Sequence, residues 1–126
     1  MSLLTPFKRA SGLGSTSDGV KHWWMQRMTA VALVPLTLWV AFAVASHVGA
    51  DYATVAAWFA KPFTTTMLTL FVFTAFFHAS QGLTVVIEDY IHHDGVKVTA
   101  LVAMKLVLVL LGTSSILSVL RVAFAG

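Results

Sequence analysis

Phe76-Phe77-His78-Ala79-Ser80-Gln81-Gly82-Leu83-Thr84-Val85-Val86-Ile87-Glu88-Asp89-Tyr90 puts a histidine inside an apolar run and an Asp-Tyr pair where that run meets polar sequence. An ionisable side chain at membrane depth is costly, so each one marks a candidate site. On a helix, the step from His78 to Asp89 covers ~16 Å and returns to within ~20° of the same face. Gly82, one turn after His78, leaves a notch beside the imidazole where a flat, bulky group has room against backbone. The stretch reads as one helix with a cofactor at mid-depth and a second ligand near the surface.

The rest of the chain fits that reading. Of 126 residues, 58% are hydrophobic and only 10% charged, against about 25% charged in an ordinary soluble domain. Mean hydropathy is +0.85. Three apolar segments are long enough to span a bilayer, which needs about 20 residues per helix. The fold class is therefore an all-α membrane protein with three transmembrane helices, expected over about 23–47, 63–90 and 98–123. Residues 1–21 read as an N-terminal leader on the cytoplasmic side, Ser/Gly-rich and flexible or extended over 11–19, and residues 22–126 as the three-helix domain. The first apolar run starts late and is too long for a cleaved signal peptide. With no cysteine, this chain forms no disulfide, thiolate metal site or iron–sulfur ligation of its own. No P-loop, Rossmann glycine pattern, HExxH or nucleophile–base pair is present. The net charge of +3 comes from residues flanking the apolar runs, not from a basic patch of the kind that binds nucleic acid.

Those flanking charges also orient the chain. Lys8, Arg9, Lys21 and Arg27 precede the first helix and Lys97 precedes the third, whereas Lys61 and Arg121 lie on the opposite side. The positive-inside rule puts the N-terminus and the 88–97 loop in the cytoplasm. Asp89 and Tyr90 then face the side where soluble metabolism occurs. In the first helix Pro35 removes a backbone donor and is expected to kink it. The 52–60 segment is too short to span and is expected at the interface.

His78 has two readings: a packing histidine satisfied by a neighbouring hydroxyl, or an axial ligand for haem iron. His47 and His22 lie at opposite ends of the first helix, neither at the depth of His78. A six-coordinate haem therefore needs a histidine from another subunit. His22-Trp23-Trp24-Met25-Gln26-Arg27 is either an aromatic belt with a snorkelling arginine or a helix mouth where Arg27 receives an anion such as a haem propionate. Asp89-Tyr90 is either a plain helix end or a quinone partner, in which the phenol donates to a carbonyl and the carboxylate orients or activates it. Tyr90 lies ~120° round the helix from His78 and so faces sideways from it. Lys105, about two turns into the third helix, either snorkels or pairs with an anion. His92-His93-Asp94 offers metal-ligand types, but in a loop setting more usual for surface residues.

Taken in order, His22-Trp23-Trp24-x-Gln26-Arg27-x-Thr29-Ala30, three spans, His78-Ala79-x-x-Gly82 and Glu88-Asp89-Tyr90 resemble the hydrophobic membrane anchor subunit of succinate dehydrogenase. The resemblance is to the form of that anchor found in alphaproteobacteria and, more distantly, in mitochondria, and covers nearly the whole chain from His22. It implies that His78 ligates haem b, with the second ligand from a companion haem-ligating anchor. It implies that Tyr90, with Asp89 beside it, binds ubiquinone, and that Arg27 and His22 lie near the haem propionates. The iron–sulfur and flavoprotein subunits would be the other partners, in a bacterial inner membrane. Two other readings stand beside it: an anchor or cytochrome b subunit of a related quinone oxidoreductase such as fumarate reductase, and a structural assembly subunit without haem.

Overall fold

The computed structural model describes residues 15–125, with side chains from Gly19 onward. Residues 1–14 of the expected leader lie outside the described residues. Three long helices and one short one follow in order: α1 (Ser15–Ser46), α2 (Tyr52–Phe59), α3 (Pro62–Tyr90) and α4 (Asp94–Phe124). At 32, 29 and 31 residues, α1, α3 and α4 each exceed the ~30 Å hydrocarbon thickness of a bilayer. All three are long and apolar enough to cross a membrane, as expected for an all-α membrane protein.

The helix starts differ from the expected ones where hydropathy was not what set them. α1 already runs from Ser15, the first described residue, well before Trp23, because a nucleated helix gains a hydrogen bond for each residue added, whether that residue is apolar or not. α4 begins at Asp94, not Val98: His93 is its N-cap, accepting from the Val96 amide at 3.2 Å. Asp94 in the first turn and Arg121 in the last complement the helix dipole. Pro62 opens α3 at a position where its missing N–H costs nothing. α1 runs through Pro35 without ending.

The 52–60 segment forms α2, capped by Asp51, whose carboxylate accepts from the Thr54 amide at 2.9 Å. The Thr54 hydroxyl, and then that amide, hold Asp51 below the usual carboxylate range. The turn before α2 is made at Gly49, whose φ of +82° favours a residue without Cβ.

α3 is the middle helix. α1 and α4 both pack against it and make no close backbone approach to one another among the described residues. α2 lies across α3 and α4 at one end, and Trp58 reaches α1, stacking on Trp39 with centroids 6.0 Å apart. Burial is concentrated at this α2 end. Ala43, Thr64, Leu68 and Ala123 are buried there, with Thr64 only 2% exposed. At the opposite end, carrying His22, Gly82 and Tyr90, no residue is buried among the described residues, so the described helices pack closely at one end and lie open at the other.

α3 and α4 approach closely at Gly112. A Cβ there would lie 3.3 Å from Phe76 Cγ, tighter than ordinary contact. Gly112→Leu is therefore expected to force the two helices apart and destabilise the chain by about 1–3 kcal/mol, as over-packing does. Thermal unfolding in detergent checks this; an unchanged midpoint would mean that the contact is not limiting.

Candidate functional site at the open end of α1 and α3

His78 lies on the face of α3 that meets α1, partly buried. Its Nδ1 is 2.9 Å from the Thr29 hydroxyl of α1. The same oxygen is 2.8 Å from the Met25 carbonyl and 3.1 Å from that of Gln26. Carbonyls only accept, so the single hydroxyl proton is best placed on Met25, which leaves the oxygen to accept from His78 Nδ1–H. That arrangement gives the hydroxyl one donated and one accepted hydrogen bond. It makes Nε2 the lone-pair nitrogen, and Nε2 has no hydrogen-bond partner among the described residues. The hydroxyl partner expected of a packing histidine is present, but it occupies only one of the two ring nitrogens.

Beyond His78, the start of α1 and the last turns of α3 border a cleft of about 470 Å³ lined by His22, Trp23, Gln26, Arg27, Gly82 and Val85 with Gly19. His22 and Arg27 are thus brought to one space with the Gly82 notch. The Arg27 guanidinium lies over the Trp23 ring, 5.3 Å from its centroid, an arrangement that holds the cation at the cleft. The Gln26 amide sits beside the notch: a Cβ at Gly82 would lie 3.6 Å from its nitrogen. This is ordinary contact, so packing within the chain does not require glycine here as it does at Gly112. Gln26 Oε1 is buried without a hydrogen-bond partner. Thr69 Oγ1 and Gln81 Oε1 are in the same position among the described residues.

Asp89 and Tyr90 are the last two residues of α3 and are exposed, Tyr90 at 78%. They are not gathered into the cleft. Because α3 is unbroken from Pro62 to Tyr90, the sideways turn of Tyr90 relative to His78 follows from ideal geometry. The remaining candidates go elsewhere. His47 is at the α2 end, its Nδ1 donating to the Ala43 carbonyl at 2.7 Å and its ring 4.4 Å from that of Trp58. His93 caps α4. No group of three or more metal-ligating side chains occurs among the described residues, so the His92-His93-Asp94 run does not form a metal cluster. Lys105 borders a separate apolar groove between α3 and α4 with Ser80.

The residues around His78 suit a haem edge. A neutral imidazole offers Nε2, a notch without Cβ admits a flat macrocycle, and two potential cations stand at the mouth where carboxylates would emerge. A porphyrin brings four ring nitrogens of its own, so one axial histidine from this chain is a sufficient contribution. Thr29 and Gln26, which do most to shape the site, carried only a faint sequence signal: polar residues three apart on the same face of an apolar helix.

The arrangement defines an integral membrane protein of three spanning helices. The family model for the transmembrane subunit of succinate dehydrogenase/fumarate reductase matches residues 1–112, and the chain belongs to that family. It is 37% identical over 90 residues to the succinate dehydrogenase hydrophobic membrane anchor subunit of Paracoccus denitrificans, covering 71% of this chain and 70% of that one. With the protein of the same description from Rickettsia bellii, identity is 34% over 98 residues, 78% of each chain. The succinate dehydrogenase membrane anchor subunit of Reclinomonas americana is 28% identical over 95 residues, 73% of this chain and 79% of that one.

Proposed function

We propose that this chain is one of two membrane anchors of a succinate:ubiquinone oxidoreductase in a bacterial inner membrane. It holds the flavoprotein and iron–sulfur subunits at the bilayer, provides one axial ligand to haem b and forms part of the ubiquinone pocket. The observation that carries the reading is His78: its Nδ1 is engaged by Thr29 and its Nε2 has no hydrogen-bond partner among the described residues, one turn from a cleft lined by Gly82, Gln26, Arg27 and His22. Haem, when bound, supplies a one-electron carrier within the membrane.

The residues have separate tasks. His78 would hold the iron through Nε2, and a second protein ligand would come from the companion anchor, because His22 and His47 lie at other levels of the bundle. Arg27, with His22 nearby, neutralises the propionates. At the end of α3, Tyr90 donates its phenolic hydrogen to a quinone carbonyl and Asp89 orients it. At the open end of the helix layer, these half-sites are closed over by the iron–sulfur subunit and the companion anchor. With the N-terminus in the cytoplasm, as the flanking basic residues favour, Tyr90 faces the soluble subunits. The relatives' descriptions favour succinate dehydrogenase over fumarate reductase.

The test is purification of the tagged chain from its native membrane in mild detergent. The expected preparation contains a flavoprotein, a cysteine-rich iron–sulfur protein and a second small apolar chain, and its flavin is reduced by succinate. Recovery of the intact chain free of flavin and iron would overturn the proposal.

A further inference from the structure

We propose that Thr29 is the positioning residue for the haem ligand: its hydroxyl fixes His78 in the tautomer that presents Nε2 and tunes the iron through that bond. The inference rests on the reading of His78 as a ligand and deepens it. The bond joins two helices across 49 residues of sequence at 2.9 Å, and it is the one hydrogen bond His78 makes among the described residues. Its polarity is set on the α1 side. With the Met25 carbonyl 2.8 Å away, the Thr29 proton is committed to its own helix, and the oxygen becomes an acceptor aimed at α3.

Two consequences follow. An imidazole whose Nδ1–H is held by an acceptor can offer only Nε2 to a metal, and the ring is fixed in rotation as well as in tautomer. Donation from Nδ1 also shifts electron density toward Nε2, which favours the ferric state and lowers the reduction potential of a ligated iron. Thr29 is β-branched, so its χ1 has few alternatives in a helix, and its bond back to Met25 selects among them. The positioning group is itself positioned.

The experiment uses the whole complex, with the haem midpoint potential and the low-spin electron paramagnetic resonance signal as readouts. Thr29→Val keeps the β-branch and removes the hydroxyl. The expected result is a rise in midpoint potential equivalent to about a tenfold change in the ferric–ferrous equilibrium, ~59 mV for one electron, with an altered low-spin signal. Thr29→Ser is expected to restore both. Should Thr29→Val fail to assemble, Thr29→Ala carries the same expectation with less steric change. A potential and signal identical to the unsubstituted complex in either hydroxyl-free variant would overturn the role of Thr29. So would a shift that Thr29→Ser does not reverse, since a purely structural effect need not depend on the hydroxyl. His78→Ala in the same complex separates this from the underlying reading: retention of the haem there would refute the ligand assignment, whatever Thr29 does.

Discussion

His78→Ala is expected to remove the haem b spectrum from the assembled complex while leaving the flavin and iron–sulfur signals in place. On the proposed ligation of haem iron by His78, alanine offers no substitute donor. Nothing nearby can replace the ligand: His22 sits at the cleft mouth with Gly82 and Val85, and His47 is bound to Ala43 at the far end of α1. A reduced-minus-oxidised difference spectrum of the purified complex measures the outcome directly. Loss of the low-spin haem band, with His47→Ala retaining it, is the expected pair of results. An unchanged band in His78→Ala would return the residue to the role of a packing histidine satisfied by Thr29. Assembly is expected to survive, because the packed end of the helix layer, around Ala43, Thr64, Leu68 and Ala123, is remote from the substitution.

How far sequence reaches depends on the range of the interaction that decides each feature. The three spans were legible because a bilayer imposes a length and composition test on every segment. The end of α3 was legible only to within a turn, because the apolar run stops at Ile87 whereas the helix continues through Glu88 and Asp89 to Tyr90. The start of α4 was not legible, since Asp94 is set by the side chain of His93, which hydropathy does not register. His78 and Gly82 were legible as a pair because they lie on one helix. The hydroxyl that engages His78 was expected in kind but not in identity: Thr29 comes from another helix, and sequence alone does not set the rotation of α1 against α3. The same limit hid Gln26, whose amide lies beside the notch and whose oxygen is left unpaired. Membership of the family was legible from motif order. The glycines divide along the same line. Gly112 is explained by Phe76 across the α3–α4 contact, whereas Gly82 finds only ordinary contact inside the chain.

Tyr90→Phe is expected to lower succinate–quinone reductase activity by about a hundredfold, in the range that a positioned proton donor contributes. Succinate oxidation by an artificial acceptor that takes electrons upstream should be unchanged. The contrast follows from position. Tyr90 ends α3 with 78% of its surface exposed in this chain, away from the buried packing, so loss of one hydroxyl should not disturb the fold. Reduction of a quinone puts charge on its carbonyl oxygens, and a phenol within hydrogen-bond reach both stabilises that charge and can deliver a proton. Phenylalanine keeps the ring and removes only this function. Asp89→Asn tests the neighbour: if the carboxylate orients the phenol, the loss should be smaller than for Tyr90→Phe, and the double substitution should cost little more than Tyr90→Phe alone, because residues acting as a unit are not additive. Equal loss of both activities in Tyr90→Phe would point to damaged assembly instead, and loss of neither would remove Tyr90 from the quinone site. The haem spectrum should remain intact in all three variants, since Tyr90 lies ~120° round α3 from His78 and about twelve residues, ~18 Å, further along it. Separate loss of haem in His78→Ala and of quinone reduction in Tyr90→Phe would establish that one helix serves two ligands through different faces.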